Sequence, residues 1–414
     1  MNRQHLAHAV RERLVRLPAP YDNHYGVVPA PPPEDVSCPG ILDRLVAASA
    51  ALAQVRTIAQ EMADPYLISR VLTRREAVSS SAIEGTHSTL DELLAVDDAG
   101  EPDAMQRGEV RQVRDYALSL DRLLPQAREH GPAIFDLDLI RRLHAEVMRS
   151  DPDFADVPGE WRRSVVWIGG TGNIAYSTWN PPPPDRIAGC LAETVDYLRN
   201  EGRKDILQAM TQNLVVRMAV AHAHFEAVHP FRDGNGRVGR LLLPLMMAAE
   251  GEVPLYLSPY IDAHKEAYYA ALKGAQQRLD WAAMIGFVSD AVAASVDELM
   301  VTRQALAGLR NDWAARRRFR HGSASLRTLD LLPHYPVLTV RRLASLLAVT
   351  VPQAGQAVDQ LVAAGILSER TGYARNRIFA AGEVLAIVNR PFGAAPILPG
   401  PDGEDDGRLS DAPA

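Results

Sequence analysis

Apolar residues recur with a helical period over most of the chain. The spacing predicts helices over 41–60, 65–84, 106–128, 137–149, 184–201, 205–226, 237–250, 262–278 and 280–308. Gly85 stands where the second of these should stop, since glycine is the usual residue just past a helix end. Thr89 is placed to cap a further helix, whose first turn holds Asp91 and Glu92, the charge sign that the helix dipole favours there. The period changes at 164–177. Ser164-Val165-Val166-Trp167-Ile168 and Ile174-Ala175-Tyr176-Ser177 are β-type, joined across Gly169-Gly170-Thr171-Gly172-Asn173, and together they read as a hairpin ended by the prolines at 181–184. Residues 1–40 are Pro-rich and read as irregular chain packed over the rest.

The pattern is different again near the C-terminus. A helix is expected over 340–347 and another over 351–364, with Thr350 as its cap. Gly365-Ile366-Leu367 then opens a strand, and 372–377 would be the tip of a wing exposing Arg375 and Arg377. This succession resembles a winged helix-turn-helix. The expected fold is therefore all-α, with one β-hairpin flap and a small C-terminal winged domain. Expected boundaries are an N-terminal region 1–105, a helical core 106–310, the winged domain 323–392 and a disordered tail 393–414.

Charge reinforces that division. The whole chain carries a formal −7, which excludes a general nucleic-acid binder. From Arg316 to Arg390, however, there are eleven Arg and four Asp or Glu, a local +7 that leaves −14 elsewhere. The helix over 351–364 carries Gln353, Gln356, Asp359 and Gln360 and no cation, which is thin for reading a DNA groove, so a protein or dimer contact is the favoured role and DNA the other. Two cysteines, Cys38 in the Pro-rich stretch and Cys190 in a helical pattern, make neither a disulfide framework nor a metal site. The charged first residues do not form a signal peptide, and the apolar run 241–249 is far short of the ~20 residues that span a bilayer, so the expected location is cytoplasmic with no membrane partner.

The densest chemistry lies in His229-Pro230-Phe231-Arg232-Asp233-Gly234-Asn235-Gly236-Arg237-Val238-Gly239-Arg240. Pro230 biases His229 toward an extended backbone, ending the helix before it. Gly234 and Gly236 then feed a new helix, a geometry that aims successive N–H groups at one anion. Arg237 and Arg240 share a face in that helix's first turns, where the dipole disfavours cations, and a polyphosphate would account for both. Asp233 offers a hard carboxylate for Mg²⁺, His229 a base that titrates near neutrality, and Asn235 either a phosphate donor or a brace for the loop. Each residue alone reads more simply as a turn former or a capped surface group. The joint occurrence of nine such fixed positions by chance is on the order of one in 10⁹ at ~5% per residue type.

The segment resembles the Fic signature HPFx[DE]GNGRxxR without departure. The resemblance implies transfer of AMP from ATP to a protein Ser, Thr or Tyr hydroxyl. It casts His229 as base, Phe231 as anchor, Asp233 as Mg²⁺ ligand, and Gly234, Asn235, Gly236, Arg237 and Arg240 as the triphosphate site. The kinase branch of the family, Doc, has Lys where this chain has Gly236, so Gly236 favours movement of AMP over phosphate. The hairpin at 164–177, led in by Gly159-Glu160-Trp161-Arg162, corresponds to the flap that holds an extended target segment by β-augmentation. Tyr268 and Tyr269, on the helix after the motif, are candidates for the wall of an adenine pocket, though core is the commoner place for such rings.

A second feature lies upstream. In Ser80-Ser81-Ala82-Ile83-Glu84-Gly85 the carboxylate ends a helix, where the dipole repels an anion, and Ser80 shares its face one turn earlier. As an isolated pair this would be a solvated surface glutamate. It also matches the [ST]xxxE[GN] pattern of Fic inhibitory helices, and the resemblance then implies that Glu84 pairs with Arg240, denying it to the γ-phosphate. Removal of AMP, with Glu84 orienting a water, and a nucleotide-sensing DNA-binding regulator are the alternatives the sequence leaves open. The target protein, which includes the chain itself as a candidate, a homodimer, and a nucleotide other than ATP are also left undecided.

Overall fold

The computed structural model describes residues 1–34, 36, 39–61, 69–99, 108–200, 213–371 and 377–397. The described chain is predominantly helical and divides into two compact units, Met1–Val96 with Gly100–Glu298, and Asp97–Ala99 with Leu299–Ala414. Cys38, the tip of the expected wing with Arg375, and residues 398–414 of the expected tail lie outside the described residues.

The first unit is built from α1 (Leu42–Glu61), α2 (Ser69–Ile83), α3 (Leu90–Ala99) as far as Val96, α4 (Gly108–His130), α5 (Leu137–Val147), α6 (Ile187–Arg199), α7 (Leu214–Val228), α8 (Asn235–Ala249), α9 (Ser258–Ala263), α10 (Lys265–Arg278) and the first half of α11 (Trp281–Arg316). Local chemistry explains many of the ends. Thr89 and Glu92 exchange hydrogen bonds as a capping box at 3.0 and 3.2 Å. Asp136 and Asn213 cap α5 and α7 with their side chains. α2 closes with Gly85 at φ +86°, while Thr86 N–H returns to Ser81 O at 3.0 Å.

α7 and α8 form the centre, and nearly every side chain on them is buried. α8 packs on α4, α5, α7 and α2, so the turn joining α7 to α8 is held from several sides. Burial on all faces explains why α7 shows no amphipathic stripe: a helix surrounded by others has no solvent side to mark with charge.

Three expectations are corrected here. Residues 1–40 contain a short antiparallel pair, β1 (Leu14–Arg16) with β2 (Tyr25–Val27), its prolines Pro18 and Pro20 confined to the connection where no ladder N–H is needed. The segment 164–177 closes back on itself, with Ile168 bridged to Trp179 by N–H···O at 2.8 Å, but neither arm is a strand beyond that single bridge. Ile174–Tyr176 is a 3₁₀ turn capped by the Asn173 side chain, since an Asn next to Gly172 offers the chain a local hydrogen bond in place of a ladder. The helix expected over 262–278 is two helices, α9 and α10, parted at His264.

The second unit contains the end of α11, α12 (Ala324–Leu331), β3 (Val337–Thr339), α13 (Val340–Leu347), α14 (Val351–Ala363), β4 (Ser368–Glu369), β5 (Ile378–Ala380) and α15 (Gly382–Val388). Its sheet is antiparallel in the order β3-β5-β4. Thr339 caps α13, and Thr350 with Gln353 forms a capping box on α14. Two of the polar residues of α14 are occupied within the unit, Gln353 by Thr350 and Gln360 by Ser325 at 2.7 Å. Among the described residues no helix is long and apolar enough to cross a membrane.

Candidate active site

His229 follows α7 as its C-cap, and its backbone is left-handed (φ 47°, ψ 63°), contrary to the extended form that Pro230 favours. A β-carbon residue is uncommon there and the conformation must be held. Arg162 holds it. This guanidinium is 3% exposed and donates to the carbonyls of His229 (2.8 Å), Pro182 (2.7 Å), Ser164 (3.1 Å) and Val228 (3.4 Å). The Arg162 amide adds a bond to Pro230 O at 3.0 Å. Burial lowers the Arg162 pKa to about 10, so it stays cationic at neutral pH. The imidazole of His229 is lowered to about 4, first by burial and then by the Arg162 charge, which leaves it neutral at pH 7 and able to accept a proton.

The loop beyond His229 is pinned by its own side chains. Phe231 is fully buried and stacks on His144 with ring centroids 3.7 Å apart and planes 7° from parallel. His144 Nδ1 accepts from Gly159 N–H at 2.8 Å, so its neutral ring carries the proton on Nε2, which reaches Asp233 O at 3.1 Å. Asn235 spends both ends of its amide on Phe231, accepting from N–H and donating to C=O at 2.9 Å each. It is 2% exposed and acts as the brace of the loop.

Asp233 is exposed at the rim, its Oδ1 accepting from Gly234 N–H at 2.6 Å. No cluster of three or more metal-ligating side chains exists among the described residues. A lone carboxylate beside an anion nest fits Mg²⁺, which takes one or two carboxylates and fills its shell from phosphate oxygens and water.

Gly234 (φ +76°) is the N-cap of α8. A β-carbon on Gly236 would lie 2.1 Å from Glu84 Oε1, so the carboxylate lies against the first turn of α8, within the favourable end of its dipole. The same carboxylate accepts from Arg240 Nη2 at 2.7 Å. Arg240 is 1% exposed and also donates to Ser80 Oγ and Ser80 O, both at 2.9 Å. Burial pushes the Glu84 pKa up, but Arg240, then Arg237 and His229, outweigh it and leave it below the usual carboxylate range. Arg237, 3% exposed, directs its Nη atoms to Gln112 (3.5 Å) and Met148 Sδ (3.1 Å), with Nε buried and unpartnered.

Thus His229, Asp233, Gly236, Arg240, Glu84 and Ser80 converge on one site, with Arg237 just behind it. Tyr268 lies beside them within electrostatic reach of Arg240 and Glu84, but it is 2% exposed and its hydroxyl bonds His222 Nε2 at 2.7 Å; Tyr269, 48% exposed, is the ring that offers a face. Arg162 was noted in the sequence only as part of the lead-in to the flap, and His144 went unnoticed, since a His on an amphipathic helix carries no local mark.

Residues 42–122 match the family model described as Fic/DOC family N-terminal, and residues 134–247 the one described as Fic/DOC family. A probable protein adenylyltransferase of Aquifex aeolicus is 27% identical over 206 residues, 50% of this chain and 56% of that protein. The protein adenylyltransferase fic-1 of Caenorhabditis elegans is 31% identical over 198 residues, 46% of this chain and 34% of that protein. The chain thus spans between a third and about half of the length of these relatives. The crystal structure of a Fic family protein from Desulfovibrio desulfuricans superposes with a TM-score of 0.51 at 21% identity, covering 85% of this chain and 98% of that one, a likeness of fold.

Proposed function

Because the chain belongs to the Fic/DOC family, we propose that it transfers AMP from ATP to a Ser, Thr or Tyr hydroxyl of a protein and that Glu84 holds it inactive. The observation that supports this best is the meeting of a neutral His229, a helix N-terminus and Arg240 around one loop, with a carboxylate lying where phosphate would lie. In the forward reaction the hydroxyl oxygen attacks the α-phosphorus, the bond from that phosphorus to the bridging oxygen breaks, and pyrophosphate leaves. His229 takes the hydroxyl proton. The α8 amides and Arg240 orient the polyphosphate and offset its charge. Asp233 would hold Mg²⁺, which supplies further charge neutralisation when bound.

The relatives named as protein adenylyltransferases support AMP as the group moved. Removal of AMP by a water oriented on Glu84 would use the same residues. The second unit, a helix-rich fold with a three-stranded antiparallel sheet, is read as the winged domain, and the internal bonds of Gln353 and Gln360 favour a protein contact over DNA. Mass spectrometry of the chain after incubation with ATP and Mg²⁺ tests the proposal. An AMP adduct on the chain or an added protein, absent in His229→Ala, is expected; its absence even after removal of the Glu84 carboxylate would overturn it.

A further inference from the structure

α7 carries titratable groups that the reaction as described does not use. His222, Glu226 and His229 stand at i, i+4 and i+7, one face of a helix. His222 is 1% and Glu226 6% exposed. Three atoms in this row, His222 Nδ1, Glu226 Oε1 and His229 Nδ1, are buried and make no hydrogen bond of good geometry, although the backbone of Gly239 lies beside the His222 ring and that of Glu226 beside the His229 ring. Glu226 Oε2 faces His229 Nδ1 at 3.8 Å. Gly239 of α8 makes the room, since a β-carbon there would come within 2.6 Å of Glu226 Oε1 and 3.2 Å of His222 Nδ1. A buried carboxyl with no hydrogen bond is costly, and nothing in the packing of α7 requires one at this position.

We propose that Glu226 is a positioning residue for His229: it accepts the Nδ1–H of the imidazole, so that Nε2 meets the acceptor hydroxyl as a lone pair, and it stabilises the imidazolium formed when that proton arrives. The inference rests on the AMP-transfer reading. Its logic is that of a histidine–carboxylate couple, in which the carboxylate fixes the tautomer and keeps its own negative charge. The hydroxyl proton goes to Nε2, Nδ1 retains its proton, and the gap from 3.8 Å closes to hydrogen-bond length by a movement of ~1 Å.

The protonation state of Glu226 decides whether it can serve. As a carboxylic acid it would donate to Nδ1, forcing the ring proton onto Nε2 and removing the base. The groups facing it are His229 and His222 on its own helix, Arg240 on α8, Glu84 beyond α2, and Tyr268 and Tyr269 on α10. Burial raises its pKa to about 8, with Arg240 opposing and Glu84 adding to the rise. The base-competent arrangement is therefore gained as pH rises through about 8, and Glu84 weighs against it as well as against phosphate.

The test compares Glu226→Gln with its parent, both full-length and both carrying Glu84→Gly. The glutamine keeps the volume and cannot titrate. With labelled ATP, kcat should fall about tenfold to a hundredfold, less than loss of the base itself, while KM for ATP stays within about twofold. The parent's rate should rise with pH as Glu226 ionises, which loss of Glu84 places below about 8, and the variant's profile should be flat over that range. Independently of activity, the ¹⁵N signals of the His229 ring, identified by their absence in His229→Ala, should show an Nε2–H to Nδ1–H change over the same range in the parent and none in Glu226→Gln. Unchanged kcat and pH profile in the variant, or a tautomer step that is missing from the parent or survives in the variant, would overturn the inference. If the parent transfers no AMP at all, the functional reading falls, and the ¹⁵N titration still decides the couple.

Discussion

Arg240 Nη2 and Glu84 Oε1 lie 2.7 Å apart although 156 residues separate them in the chain. Each is badly placed for its own helix, the carboxylate just past the C-terminus of α2 and the guanidinium in the early turns of α8. Pairing offsets both. Arg240 would remain fixed without Glu84, because Ser80 accepts two of its hydrogen bonds. Loss of the carboxylate should therefore vacate the anion site without disordering the arginine. Glu84→Gly is expected to raise AMP transfer strongly, at a stability cost of about 1 kcal/mol for glycine at the helix end plus about 1.5–3 kcal/mol for the charge-assisted bond lost by buried Arg240. Urea unfolding beside an activity assay checks both parts; a folded variant no more active than the wild type contradicts the inhibitory role.

His229→Ala should reduce transfer by about 10²–10⁴-fold, the usual contribution of a positioned base, and leave ATP binding in the Glu84→Gly background nearly intact. The imidazole is expected to act on the acceptor and not on the phosphates. Calorimetric titration with ATP and Mg²⁺ separates the two effects, and loss of binding in parallel with activity would place His229 in the nucleotide site instead.

Arg162 should be the most sensitive position outside the motif. Arg162→Ala would leave four carbonyls without their donor, and each buried orphan costs about 1–3 kcal/mol, so the variant should lose more than ~3 kcal/mol or fail to fold. Arg162→Lys is the informative variant. A single ammonium cannot reach all four acceptors, and it should fold but release the left-handed turn at His229. Lower kcat with a smaller loss of Tm than in Arg162→Ala is expected; full activity in Arg162→Lys would show that the turn needs no clamp.

Stability should fall in mild acid. Burial lowers His144, His222, His224 and His229 to about 4, below the 6.5 they have when unfolded. Between those values the unfolded chain binds more protons, so stability present above pH 6.5 is lost as pH falls toward 4. Glu226, raised to about 8, and Glu76 and Glu193, also raised by burial, act in the opposite direction above 4.5, but they are three carboxyls against four histidines, and the lowered Glu84 adds to the loss in acid. Tm measured from pH 7 to pH 4 should therefore decline across that window; a flat or rising Tm would contradict the buried neutral state of the histidines.

What the sequence revealed follows from where the constraint was local. α13 was legible to the residue because Thr339 caps an amphipathic stretch whose polar side meets solvent. The Glu84–Arg240 contact was legible through the resemblance to the Fic inhibitory pattern, to which the unfavourable placement of each charge on its own helix added a physical reason. The Asn235 brace was one of two roles the sequence left open, and the 3₁₀ turn at Ile174–Tyr176 was masked by β-type residues that the Asn173 cap overrides. The left-handed His229 was not legible, since it is settled by Arg162 from another loop. Glu226 was hidden for the same reason, as its setting is made by Gly239 on the next helix.

The central claim is most directly tested by incubating the wild type and Glu84→Gly with ATP labelled at either the α- or the γ-phosphate, with Mg²⁺, and following label into protein. The account predicts α-label on protein, far more in Glu84→Gly than in the wild type, and no γ-label. Label from the γ-position alone, or equal α-labelling of the two proteins, would contradict it.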